Sequence, residues 1–467
     1  MKRTTVLNVV GLTESLIGEQ TPAIAEFVRR GSLTKISPAF PAVTCTAQSN
    51  YLTGLAPSRH GIVANGWYNR ELAEAQFWKQ SNHVVHGRKI WDELREADPK
   101  FTCAKLFWWY NMYSTADYSI TPRPMYPADG RKVFDIYSWP LSIREEIKKE
   151  LGEFPFPTFW GPAAGKKTPQ GDPEAASKWI AESAKWTEKK YQPTLSLVYL
   201  PHLDYNLQRL GPNDPAIHDD LRRIDNVVGD LISFFQGRGV QIILLSEYGI
   251  TPVDTPIHLN RIFREQGWLA IKDELGLELL DCGASKAFAI ADHQVAHVYI
   301  NDKSIENAVL DILGQTSGMD CVLGTKEKTE KGIQHERAGD FVAVAKENAW
   351  FTYYYWLNDD HAPDFARTVD IHRKPGYDPV ELFLDPTLSS PKLKIAWRLL
   401  QKKLGFRMLM DVIPLDANLV KGSHGRIPTD RADWPVLICD SIRLGETVQS
   451  SGVYEIIKGS VLGMYKA

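Results

Sequence analysis

Three short, mainly apolar runs, at residues 5–10, 194–200 and 240–246, limit what this chain can fold into more than any other feature. Continuous runs rich in Leu and β-branched residues, bounded by polar turns, fit strands covered on both faces, as in a parallel sheet. Between the second and third runs lies the segment 219–235, where Leu221, Ile224, Val227, Val228, Leu231 and Ile232 recur at helical spacing. Strand, amphipathic helix, strand is the right-handed crossover of a parallel sheet. The run Val295–Ile300 reads as a fourth strand of the same kind. The pattern predicts an α/β fold.

At 467 residues the chain exceeds the usual domain size of about 100–200, so a single core over 1–467 carrying insertions is expected. Residues 105–180 open with a dense mix of aromatic residues and proline, read as an aromatic cap rather than regular strand or long helix. Residues 355–420 read as an insert that holds an amphipathic basic helix at 391–405, and the mixed-charge stretch 320–348 as an exposed hairpin or loop. A net charge of −3 without a basic block argues against nucleic-acid binding through a broad basic surface. No stretch of roughly 18 apolar residues appears, so no membrane span is expected. The start, MKRTTVLNVVGL, runs into the first strand with no small-residue cleavage site, which speaks against a secretory leader. Five scattered cysteines form neither a disulfide framework nor a zinc knuckle; reduced thiols and a cytoplasmic location follow.

Ligands of a parallel sheet sit beyond the carboxyl ends of its strands. The first run ends in Val10-Gly11-Leu12, the second leads to Asp204, and the third to Glu247-Tyr248-Gly249. The segment 37–62, SPAFPAVTCTAQSNYLTGLAPSRHGI, carries Thr44, and Gly422-Ser423-His424-Gly425 stands near the end of the chain. Two carboxylates at strand ends, an imidazole and a hydroxyl are the groups of a metal-assisted hydrolase.

Phe40-Pro41-x-x-Thr44, with Gly54 ten residues on and then Arg59-His60-Gly61-Ile62, resembles the nucleophile segment of the type I phosphodiesterase/nucleotide pyrophosphatase family of the alkaline phosphatase superfamily. The resemblance implies a three-layer sandwich, a mainly parallel sheet between helices. It also implies a Thr nucleophile bound to one of two zinc ions, and Thr44 is the matching position. The departures are specific. The family's first-strand Asp is Val10 here, the His of its Asp-x-x-x-His is Gln208, and its Asp-His-Gly reads Glu247-Tyr248-Gly249. Thr44, Asp204 and His424 survive, with Glu247 as a substitute carboxylate. Val10 offers no donor, so one divalent ion is expected rather than two: zinc, with manganese or iron as other oxygen- and nitrogen-ligated choices.

Further histidines stand in reserve as ligands. His293 and His297 lie four apart, on one side if the backbone is extended, and His372 sits in the turn with Arg373 and Lys374. Arg373 and Lys374 would neutralise a phosphoryl group, and Gln208 and Tyr248 would contact substrate. The plain alternatives are a capping Thr44, surface acids at strand ends, a satisfied core histidine at 297 and a solvated turn at 372–374. Two functions follow. One is metal-dependent hydrolysis of a small phosphate ester, phosphodiester or pyrophosphate. The other is a catalytically silent fold that binds a phosphorylated or isoprenoid-like molecule or a partner protein.

Overall fold

The computed structural model describes residues 1–465 except 170, 441 and 443. The strands of its two main sheets are, in chain order, β1 (Thr4–Val9), β2 (Ser32–Ser37), β3 (Cys103–Leu106), β4 (Tyr118–Pro122), β5 (Ile136–Trp139), β6 (Leu195–Leu200) and β7 (Gln241–Leu245), followed by β8 (Ala287–Asp292), β9 (Val295–Ile300), β10 (Met319–Leu323), β11 (Phe341–Ala345), β12 (Val436–Cys439) and β13 (Thr447–Gln449). The nine-stranded sheet runs β13-β2-β12-β7-β1-β6-β3-β4-β5. Its centre, β7-β1-β6-β3-β4, is parallel, whereas β12 and β5 pair antiparallel with their neighbours. Every residue of β1 and β6 is buried, as continuous apolar runs require.

Helices cover both faces. On one, α1 (Pro22–Arg30) and α3 (Ala175–Tyr191) pack with α5 (Ile217–Gln236), the crossover helix between β6 and β7. On the other, α2 (Thr44–Thr53) packs with α7 (Val453–Leu462). The architecture is the three-layer α/β sandwich.

A second sheet, β8-β9-β11-β10, is antiparallel throughout. This corrects two expectations. Val295–Ile300 is buried as foreseen but belongs here, because burial on both faces does not fix the direction of pairing. Residues 320–348, expected as an exposed hairpin or loop, hold most of β10, the short helix Thr325–Glu330 and β11; the two strands pair antiparallel as in a hairpin, but β11 is wholly buried. The segment 105–180 also contains regular structure, since β4 and β5 extend the main sheet to its edge and a ten-residue helix spans Ser142–Leu151. The basic helix appears as α6 (Pro391–Lys403), following α4 (His202–Leu210) and α5 in chain order.

Candidate functional site

Parallel register brings the carboxyl ends of three neighbouring strands level: Val9 lies beside Leu200, and Asn8 beside Leu245. Beyond those ends the chain places Asp204, in the first turn of α4, and Glu247, two residues past β7. Thr44 is the first residue of α2, whose ten residues are all buried. The helix is polar on the inside because it faces the site rather than the core, and the surrounding contacts fix it there. The Tyr51 hydroxyl donates to the Ser246 carbonyl at 2.9 Å, and His60 bonds Asn50 at 2.7 Å. Gly54 closes the helix at φ +68°, the left-handed conformation that suits glycine. The Leu-Thr-Gly and Arg-His-Gly segments therefore act as clamps for the helix that carries Thr44.

A hydrogen-bonded chain joins the strand ends. The Thr44 hydroxyl lies 3.2 Å from the Tyr248 hydroxyl, which donates to Asp204 Oδ1 at 3.1 Å. Gln208 Nε2 donates to the other Asp204 oxygen at 2.8 Å, and Tyr377 donates to Gln208 Oε1 at 3.0 Å. Glu247 Oε1 accepts from both Asn8 Nδ2 and Gln48 Nε2, while Glu247 Oε2 is buried without a hydrogen-bond partner. Thr44 is close enough to Glu247 to favour its ionised form. Burial dominates all the same, pushing Asp204 up to about 7 and Glu247 up to about 8.

Four rings close the far side. Tyr248 stacks on His424, His424 on His293 and His293 on Tyr377, each pair with ring centres 3.6 Å apart. His424 Nδ1–H donates to the Ala42 carbonyl at 2.7 Å, which fixes its tautomer, and burial lowers its pKa to about 3. His293 is held neutral by burial and by its neighbour His424, and its Nδ1 has no partner. Beside α2, Asn65 links the Cys45 backbone amide to Asp292, whose two oxygens accept from Asn65 at 2.8 and 3.0 Å.

The remaining candidates lie elsewhere. His293 sits at φ +61° in the turn between β8 and β9, so the extended geometry that would align it with His297 does not arise. His297 donates through Nε2 to the Val63 carbonyl at 3.1 Å and accepts the Gly339 amide at Nδ1. Both nitrogens are occupied, which is the satisfied core histidine. His372 is exposed and turns to the Phe77 backbone. Arg373 pairs with Asp364 on the surface. Lys374 is buried between Asp378 at 2.6 Å and Glu381 at 2.8 Å, an internal ion pair with no charge left for a ligand. Sequence reasoning missed Asn8, Gln48, Asn65 and Tyr377. Asn8 had a signal, a lone amide inside an apolar strand, since a buried amide needs a partner. Gln48 stands one turn after Thr44, on its face of α2.

Residues 4–378 match the family described as type I phosphodiesterase/nucleotide pyrophosphatase. The chain belongs to this family. It therefore stands in the alkaline phosphatase superfamily. An uncharacterised pyrophosphatase/phosphodiesterase of Schizosaccharomyces pombe is 23% identical over 248 residues, which is 50% of this chain and 42% of that relative. Among solved structures, murine ectonucleotide pyrophosphatase/phosphodiesterase 5, inactive and in complex with AMP, aligns with 99% of this chain and 95% of its own at TM-score 0.58 and 15% identity. Phosphonoacetate hydrolase from Sinorhizobium meliloti 1021, in complex with phosphonoformate, aligns with 98% and 96% at TM-score 0.61 and 13% identity. These structural likenesses show the fold.

The family's enzymes generally depend on divalent metal, and the donor chemistry here does not fit that centre. Val10 is fully buried in the hydrophobic core, Gln208 directs its amide N–H at Asp204, and Tyr248 puts a phenol between Thr44 and Asp204. A zinc site takes three or four N, O or S ligands around one point. Among the described residues no three His, Cys, Asp or Glu side chains are grouped to hold an ion, so Asp204, Glu247 and His424 do not form the expected set, with or without the reserve histidines.

Proposed function

We propose that this chain cleaves a phosphorus–oxygen ester bond of a small phosphorylated molecule with Thr44 as nucleophile and Glu247 as the base that activates it. One observation carries the reading. Thr44 opens a buried helix, and its hydroxyl stands between the Tyr248–Asp204 pair and a carboxyl with a free oxygen. The Thr44 proton passes to the Glu247 carboxylate as the Thr44 oxygen bonds phosphorus. The leaving oxygen takes a proton from Tyr248; water then cleaves the Thr44 phosphoester, giving its proton to Tyr248, and Glu247 returns its proton to the Thr44 oxygen. The amino-terminal end of α2 favours the charge that develops on the phosphoryl oxygens. A carboxyl whose pKa is near 8 suits a base that works close to neutral pH. Zinc, manganese or iron at these carboxyls would need Tyr248 to swing out of the gap between Thr44 and Asp204.

A nucleotide or another phosphoester is the substrate class, in keeping with the AMP named for one structural neighbour. Specificity is assigned to the segments 105–180 and 355–420, which carry Trp160 and Tyr377 beside the ring stack. A cytoplasmic location goes with five free cysteines, and no described helix is long and apolar enough to cross a membrane.

The second reading, a silent fold that binds a phosphorylated molecule, is favoured by Tyr248 filling the gap where family members hold metal. Turnover of an activated aryl phosphodiester, with and without added divalent metal, separates the two. The hydrolase reading expects activity in the wild type, loss in Thr44→Ala and partial activity in Thr44→Ser. A wild type that is inert in every buffer yet stabilised against heat by AMP leaves the silent reading.

A further inference from the structure

Helix α6 is turned inside out. Leu393, Trp397, Leu400 and Leu404 recur at helical spacing and form one stripe, and each is between 45% and 71% exposed. The other sides hold the helix to the protein only in part, since Leu399, away from the stripe, is also 51% exposed. Ile395 packs on the second hydrophobic core, and Lys394 and Arg398 each reach Asp411 at 2.9 Å. None of the helix's residues is buried. Phe406, just beyond it, is also exposed. Between Asp385 and Asp411 the chain has six basic residues and no acidic one. Lys392 and Lys403 flank the stripe and have no carboxylate partner among the described residues.

A second segment continues this face. Lys402 reaches the Lys132 carbonyl at 3.5 Å, and Lys132 lies over the exposed rings of Tyr126 and Phe134. The combination is an apolar stripe with a large aromatic at its centre, a rim of unpaired cations and an attached aromatic loop. A helix so built lies in the plane of a lipid surface, with its apolar side among the acyl chains and its cations at anionic headgroups. The charge also selects against a second copy of the chain, because two such faces would bring like charges together.

We propose that α6 and the adjoining 125–134 loop seat this chain on an anionic lipid bilayer, in the interface and without a span. The experiment floats the full chain with vesicles of phosphatidylcholine alone or mixed with phosphatidylglycerol. Binding to the mixed vesicles is expected, weaker by at least about tenfold for phosphatidylcholine alone and in high salt. Trp397→Glu with Leu400→Glu is expected to lose at least about tenfold with an unchanged melting curve, since both side chains face solvent. Lys392→Glu with Lys403→Glu tests the cations independently of the apolar stripe and is expected to weaken binding to the mixed vesicles alone. Failure of the wild type to float, or equal flotation of wild type and both variants, overturns the proposal. So does a dimer in sedimentation velocity that the Trp397→Glu, Leu400→Glu chain no longer forms.

Discussion

Tyr248 donates its hydroxyl hydrogen to Asp204 at 3.1 Å, filling with a phenol the space between that carboxyl and Thr44. In family members the position of Tyr248 belongs to a histidine, a metal ligand. Here it joins two strand ends by a hydrogen bond to Asp204, and burial, outweighing the hydrogen bonds that favour ionisation, makes both carboxyls hold their protons.

That protonation predicts a pH dependence of stability. Asp204 and Glu247 rise from the ordinary carboxylate range near 4 to about 7 and about 8 in the folded chain. The folded state thus binds more protons than the unfolded one between pH about 4 and 8. Their contribution is fully present below about pH 4 and is lost as pH rises through 7 and 8. His424 and His293 act in the opposite sense, losing stability as pH falls below about 6.5. Denaturant midpoints of the wild type minus those of Asp204→Asn with Glu247→Gln isolate the carboxyls. The difference should shrink from pH 5 to pH 9, and a difference that grows over that range contradicts the assignment.

Catalysis should follow Glu247 in the other direction. With the base ionised only above about pH 8, kcat rises through that value. Glu247→Gln should lower kcat by roughly 10²- to 10⁴-fold and remove the rise. A variant with the wild-type profile would show that another group accepts the Thr44 proton.

Much of this framework could be read from the residues, and the reasons differ by element. The runs at 194–200 and 240–246 coincide with β6 and β7 within a residue, and 219–235 with α5 within two, because burial on two faces and helical spacing leave direct marks on composition. Strands β4 and β5 were hidden in a segment dense in aromatic residues and proline, a mix that masks the apolar pattern of a strand; Pro122 stands at the last position of β4. The ring stack left no mark. Residues 248, 293, 377 and 424 come from four separate loops, and only the tertiary fold brings them together. Lys374 misled for a related reason: its two acidic partners lie four and seven residues on, a spacing that fits a solvated turn equally well.

The stack itself is testable through Tyr377. Tyr377→Phe keeps the ring on His293 and loses the bond to Gln208, so a cost of about 1 kcal/mol is expected. Tyr377→Ala opens a cavity beside His293 and should cost roughly 3–5 kcal/mol in chemical denaturation. Equal costs for the two would mean that the hydroxyl, not the ring, matters to the fold.

The central claim is that hydrogen bonds of Tyr248, Gln208, Asn8 and Gln48 hold the carboxyls that a metal centre would otherwise hold. Elemental analysis of the chain, purified without chelator and then dialysed, tests it most directly. Zinc, manganese and iron should together fall well below one ion per chain, with equal values for the wild type and Asp204→Ala. One ion per chain, retained through dialysis and absent from Asp204→Ala, would contradict the account.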